Sequence, residues 1–151
     1  MLENHTIRMP QNLLPVKAIA AGADFSVALQ TSGRVAAWGL DDAGQCQVPQ
    51  VGVSIVQIAA GQRHVVARLE DGRVIAWGDS GAKQCDVPAG LGAVTAVFAG
   101  GDSSAAVDST GKLYAWGKVP KGLNELAGQV KSVSIGSSTW ALIMRDDAPL
   151  P

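Results

Sequence analysis

Apolar and polar positions alternate in short bursts along this chain, and the bursts recur. Val16–Ala21, Phe25–Leu29 and Arg34–Trp38 are each bounded by Gly-containing polar steps. Runs of that length, with that punctuation, predict strands rather than helices. The same set returns at Ile55–Ala60, His64–Leu69 and Arg73–Trp77, and again at Val94–Ala99, Ser103–Val107 and Lys112–Trp116. Between the second and third runs stand Ser32-Gly33, Asp71-Gly72 and Thr110-Gly111. Asp-Gly between alternating apolar residues is a strong hairpin signal, and a two-residue turn is predicted there. A short fourth strand is predicted near Cys46–Val48 and Cys85–Val87, each ended by Pro. In the third run, Val35, Val74 and Leu113 share one face with Ala37, Ala76 and Ala115, and each Trp lies on the other. Both faces carry apolar groups, so each sheet is expected to be covered on both sides.

The repetition has a fixed period. Trp38-Gly39, Trp77-Gly78 and Trp116-Gly117 are each 39 residues apart, as are Gly22, Gly61 and Gly100. Aligning Val16–Val53 with Ile55–Gly92 gives 17 identities in 38 pairs. One supersecondary unit has been copied. The repeats run over 16–53, 55–92 and 94–129, and 130–145 repeats the front half of a unit. Met9-Pro10 stands 39 residues before Val48-Pro49, so 1–10 reads as the tail of a preceding unit. The ending 146–151 reads as a tail or linker. Four-stranded units of this length, packed one on the next, predict an all-β fold of β-propeller blades. Residues 1–145 form that domain: three full blades of four antiparallel strands plus partial terminal blades. The propeller is therefore partial, or completed by oligomerisation or by strand sharing between the chain ends.

Composition narrows the partners. The 151 residues carry 12 Lys+Arg and 13 Asp+Glu, a net charge of -1. No basic excess exists to displace counterions, so no nucleic acid is expected. No apolar stretch reaches bilayer length and the N-terminus has no signal-like apolar region, so no membrane partner is expected and the location stays unassigned.

Chemistry is sparse. His64 lacks a nucleophile or carboxylate fixed by the repeat, and reads first as a structural histidine bonded to a neighbouring loop. Cys46 and Cys85 occupy matching positions of adjacent units, further apart than the ~7 Å Cα limit of a bridge, and read as free packed thiols. No ligand-spaced metal set is present, and no catalytic constellation breaks the repeat, so neither cofactor nor enzyme activity is expected. The Trp residues in phase with the repeat read as inter-blade core. Trp140 falls out of phase, and either caps the end of the arc or contacts another chain.

Candidate binding residues are those that vary while the scaffold repeats. Asp24, Phe25, Arg63, His64 and Asp102 follow the strand-ending glycines, and Asp41 follows Trp38-Gly39. With Trp140 they form the expected partner-binding set, since loops on a rigid scaffold carry recognition and aromatic and Arg side chains dominate hot spots.

Ile58-Ala-Ala-Gly-x-x-His64, then Asp71-Gly-Arg-Val-x-Ala-Trp-Gly78, then Gln84-Cys-x-Val-Pro88 resembles the regulator of chromosome condensation repeat, most closely its short bacterial form. The first unit departs at Phe25 and the third at Ser103, where the family usually has His. The resemblance implies a propeller, usually seven-bladed. Functions differ widely in that family: nucleotide exchange on a small GTPase with chromatin docking, β-lactamase inhibition through one propeller face, and parts of surface or phage structures. Fold does not fix function. The expectation is a non-catalytic protein-interaction or assembly module. It would present rigid loops and open blade edges to a protein partner or to a second copy, as a homo-oligomer or part of a larger assembly. Inhibition of a partner enzyme, lectin-like ligand binding and a phage or surface structure are the alternatives.

Overall fold

The computed structural model describes residues 9–125 and 129–145. The tail read at 1–10 therefore lies outside the described residues as far as position 8, as does 146–151. Three sheets of three antiparallel strands follow one another. They are β1 (Val16–Ala21), β2 (Phe25–Gln30) and β3 (Val35–Gly39); β4 (Ile55–Ala60), β5 (His64–Leu69) and β6 (Val74–Gly78); and β7 (Val94–Gly100), β8 (Ser103–Asp108) and β9 (Leu113–Gly117). A two-stranded sheet, β10 (Val130–Ile135) with β11 (Trp140–Met144), ends the described chain. Leu123–Glu125 forms a single 3-10 turn. The architecture is a partial β-propeller.

The hairpins turn differently from the two-residue form. Gly33 N–H donates to Gln30 C=O at 3.0 Å and Gln30 N–H to Arg34 C=O at 2.8 Å. The loop is therefore three residues, a type I turn closed by Gly33 at φ 83°, and Gly72 and Gly111 repeat it at 86° and 85°. Glycine is needed at the third loop position, where a side chain would be strained.

The fourth strand is replaced by a loop. After β3 the chain bonds to itself: Asp41 Oδ1 accepts Cys46 N–H at 2.9 Å, and Gln45 Oε1 accepts Ala43 N–H at 2.9 Å. Gln84 Oε1 accepts Ala82 N–H in the next unit at 2.8 Å, and Ser80 Oγ accepts Cys85 N–H at 3.3 Å. These side chains take the donors that a ladder would have used.

Each first strand carries a bulge at the same place, after Val16, Ile55, Val94 and Val130. The bulge resets the alternation, so Ile55, Ile58 and Ala60 all pack toward the preceding blade. Phe25, Val27, Leu29, Ile58, Val65 and Trp77 form the seam between the first two blades. Val66, Val94, Val97 and Trp116 form the next seam, and Val107, Leu113, Val130 and Val133 the third. The core is thus a row of seams between sheets rather than one central cluster.

Candidate loop face

One end of the blades gathers the variable loops. Leu40 N–H donates to Asp24 C=O, Asp79 N–H to Arg63 C=O and Lys118 N–H to Asp102 C=O, at 2.8, 2.9 and 3.0 Å. The same bond therefore anchors Asp24, Arg63 and Asp102 at one position of three successive blades. Neighbouring loops are tied across the seams: Ala23 N–H donates to Gln62 C=O at 3.0 Å, and Gln62 N–H to Gly101 C=O at 2.9 Å. The result is a rigid row reading negative, positive, negative. Of the expected partner-binding residues, these three share one position of the repeat.

Arg63 is the centre of the charge pattern. Its guanidinium donates to the Asp42 carboxylate at 2.5 Å and lies 3.8 Å from Asp79. The hydrogen bond from Arg63, then that from Gln45, holds the Asp42 carboxyl below its ordinary range. These groups are half-exposed, so the pair orders the surface more than it stabilises the fold.

The remaining expected contacts sit elsewhere. Asp41 is exposed on this face, but its carboxylate is engaged with Cys46 N–H and Gln47 Nε2. Phe25 and His64 are 3% and 0% exposed, so neither side chain reaches a partner on this surface. An edge of each ring sits against the glycine that follows the preceding strand, Gly22 or Gly61, in the space a Cβ would fill. Trp140 is half-buried and packs into the seam between the third sheet and β10–β11.

His64 belongs to a polar lock between blades. Its Nε2 donates to Ser104 Oγ at 2.9 Å, and Ser104 donates to Gln84 C=O at 2.7 Å. The Trp116 indole N–H donates to the same carbonyl at 2.8 Å. One unit earlier, the Trp77 indole donates to Gln45 C=O at 3.0 Å. Gln45 and Gln84 are 0% and 1% exposed. These two glutamines are the key residues that sequence reasoning passed over. Their signal was present in the recurring Gln-Cys pair, but a polar residue beside a loop gives no sign that it will be buried.

Cys46 and Cys85 are free thiols that donate to Leu40 C=O and Asp79 C=O, at 3.3 and 3.2 Å. Among the described residues no group of three or more His, Cys, Asp or Glu could hold a metal ion.

The sequence profile of the regulator of chromosome condensation (RCC1) repeat matches 16–45, 55–84 and 94–118, more than half of the chain. The chain belongs to that repeat family. The sequence has no match among curated proteins. Solved structures agree on the fold. Human WBSCR16 superposes with a TM-score of 0.74 at 22% identity, over 90% of this chain and 47% of its own. Prp20p from Saccharomyces cerevisiae gives 0.75 at 18%, over 93% and 45%. The ectodomain of receptor kinase CR4 from Physcomitrella patens gives 0.73 at 25%, over 90% and 38%. This chain therefore spans less than half the length of each of these propellers.

Proposed function

We propose that the chain is a non-catalytic assembly module that docks blade to blade and presents its loop row to a protein partner. The observation that carries this is Ile19, which is 79% exposed, whereas its repeat counterparts Ile58 and Val97 are 9% and 1% exposed. Both counterparts are buried in seams. Val16 is likewise 40% exposed, against 3% for Ile55 and 5% for Val94. The first blade thus offers the same face that each later blade buries. Covering one Ile of this kind is worth about 1.5–3 kcal/mol. The fold neighbour Prp20p has described binding to Gsp1p and histones, which supports the general reading of protein recognition. A lectin-like reading loses its accessible aromatic, because Phe25 is buried.

The test is solution mass by light scattering across a concentration series. A second copy docking on the Ile19 face gives a mass rising toward a multiple of the 15.5 kDa chain, and Ile19→Asp returns it to the monomer. A monomer at every concentration, or association indifferent to Ile19→Asp, overturns docking on this face.

A further inference from the structure

Beyond blade docking, the rim of the propeller has a repeated opening of its own. In an antiparallel edge strand every second residue turns its N–H and C=O away from its partner. Arg34 C=O and Leu40 N–H are bonded inward, to Gln30 and Asp24. Val35 and Ala37, between them in the alternation, therefore face out of the sheet. Val74 and Ala76 do the same on β6, where Arg73 C=O and Asp79 N–H are the inward pair. None of these outward groups receives a bond from the described residues.

The third blade holds a stand-in at this edge. Asn124, on the 3-10 turn after β9, accepts from Ala115 N–H through Oδ1 at 3.1 Å and donates through Nδ2 to Ala115 C=O at 3.2 Å. Ala115 is the counterpart of Ala37 and Ala76. A carboxamide that makes both bonds on one residue does what a peptide unit does in a sheet. The first two blades have no such residue, because their corresponding segment is the self-bonded Gln loop.

Space lies beside both open edges. A cleft of about 900 Å³ lies at the turn end of β3, where it reaches Val35, with Val48, Pro49 and Val51 as its apolar wall and Arg34, Gln50, Ser54 and Glu70 as its polar wall. A second, of about 530 Å³, borders β6, lined by Val74, Val87, Pro88 and Leu91. Val35 and Val74, Val48 and Val87, and Pro49 and Pro88 are repeat counterparts, so the two clefts are one feature built twice, with Val51 and Leu91 one position apart in the repeat.

We propose that the outer edges of β3 and β6 each accept an extended peptide that adds as a fourth strand and places an apolar side chain in the Val–Pro cleft. Main-chain bonds to Val35, Ala37, Val74 and Ala76 supply affinity and the cleft supplies selection, as in other strand-addition partners. This rests on the reading of the chain as a protein-interaction module, and specifies where and what it binds.

The experiment selects binders from a displayed library of random decapeptides against the whole chain, then maps them by amide NMR. Selected peptides are expected to shift the amides of Val35, Ala37, Val74 and Ala76, and to lose at least about tenfold in affinity on Ala37→Pro/Ala76→Pro. Proline is tolerated on an edge strand whose N–H faces solvent, so the variant removes donors and keeps the sheet. Val48→Asp/Val87→Asp, which charges the clefts without touching a strand, gives the same loss if the proline variant melts early. Asn124→Ala is expected to open a further site at Ala115. Binders that leave those amides unmoved, binders indifferent to both double variants, or a selection that yields none overturn the proposal. Blade docking is read separately through Ile19, so either idea can fail alone.

Discussion

The imidazole Nε2 of His64 lies 2.9 Å from the hydroxyl of Ser104, across the seam between the second and third blades. One unit earlier the corresponding positions hold Phe25 and Val65, both in the apolar cluster of the first seam. The pair has changed together: a hydrogen-bonded polar contact in one seam, an apolar contact in the other. Neither partner is stranded in either seam, apart from His64 Nδ1, which is buried without a partner.

That burial sets a pH dependence. Desolvation pushes the His64 pKa below its ordinary value of 6.5, against smaller opposing contributions from the Ser103 backbone and nearby Asp102. The fold favours the neutral ring, so the unfolded chain binds the proton first as pH falls. The His64 contribution is whole above about pH 6.5 and declines below it toward the lower folded pKa. His64→Phe copies the first blade and leaves Ser104 bonded to Gln84. Urea midpoints are expected to match wild type near pH 7.5 and to fall less on acidification. Parallel acid slopes for the two proteins would place the titration elsewhere.

The two indole locks differ in what they leave behind. Gln84 C=O accepts from both Trp116 and Ser104, whereas Gln45 C=O accepts from Trp77. Trp116→Phe therefore removes one of two donors, at about 1 kcal/mol for the bond. Trp77→Phe leaves a buried carbonyl without that donor, adding a desolvation penalty of about 1–3 kcal/mol. Both variants also lose ring area, so the comparison between them is the measurement. Chemical denaturation should rank Trp77→Phe as the costlier, and the reverse order would show that ring packing decides.

The blades were legible because their cause is local and repeated. Strand bounds such as Ile55–Ala60 and His64–Leu69 follow from alternation and turn glycines alone. The fourth strand was misread because Cys46–Val48 has strand-like composition, while the carboxylate and carboxamide that bend it, Asp41 and Gln45, lie upstream. The loop row of Asp24, Arg63 and Asp102 was readable from period. Phe25 and His64 were placed on that row because they are adjacent in sequence. They are the first residues of β2 and β5, and alternation turns them inward over Gly22 and Gly61. Adjacency along a chain says little about exposure where a loop becomes a strand.

The thiols give a chemical readout of the Gln loops. Burial, first, pushes the Cys85 pKa up to about 11 from the ordinary 9.0, and burial with the Asp41 charge raises Cys46. A two-unit rise leaves about 100-fold less thiolate at pH 8, and the thiolate is the nucleophile. A higher-pKa thiolate is intrinsically more nucleophilic, which offsets about tenfold of that loss, so iodoacetamide should label Cys85 at least about tenfold more slowly than a free peptide thiol, and Cys46 faster than Cys85. Both should react fully in urea without reductant, since both are free. Equal, rapid labelling of the native chain would mean that the loops open readily.

The last prediction concerns backbone strain in the same loops. Lys83 adopts φ 64°, in the left-handed region, and its repeat counterpart Gly44 adopts φ 79°. A side chain there costs about 1–2 kcal/mol, while glycine returns about 0.5–1 kcal/mol of that through its freer unfolded chain. Lys83→Gly should therefore stabilise the chain by up to about 1.5 kcal/mol. The reciprocal Gly44→Ala meets no atom within 4 Å, so no clash adds to the strain, and stability should drop by a similar net amount once the unfolded-chain entropy is set against it. Opposite signs at equivalent positions would tie the effect to backbone geometry. A loss on Lys83→Gly would show instead that the lysine side chain contributes contacts exceeding the strain it imposes.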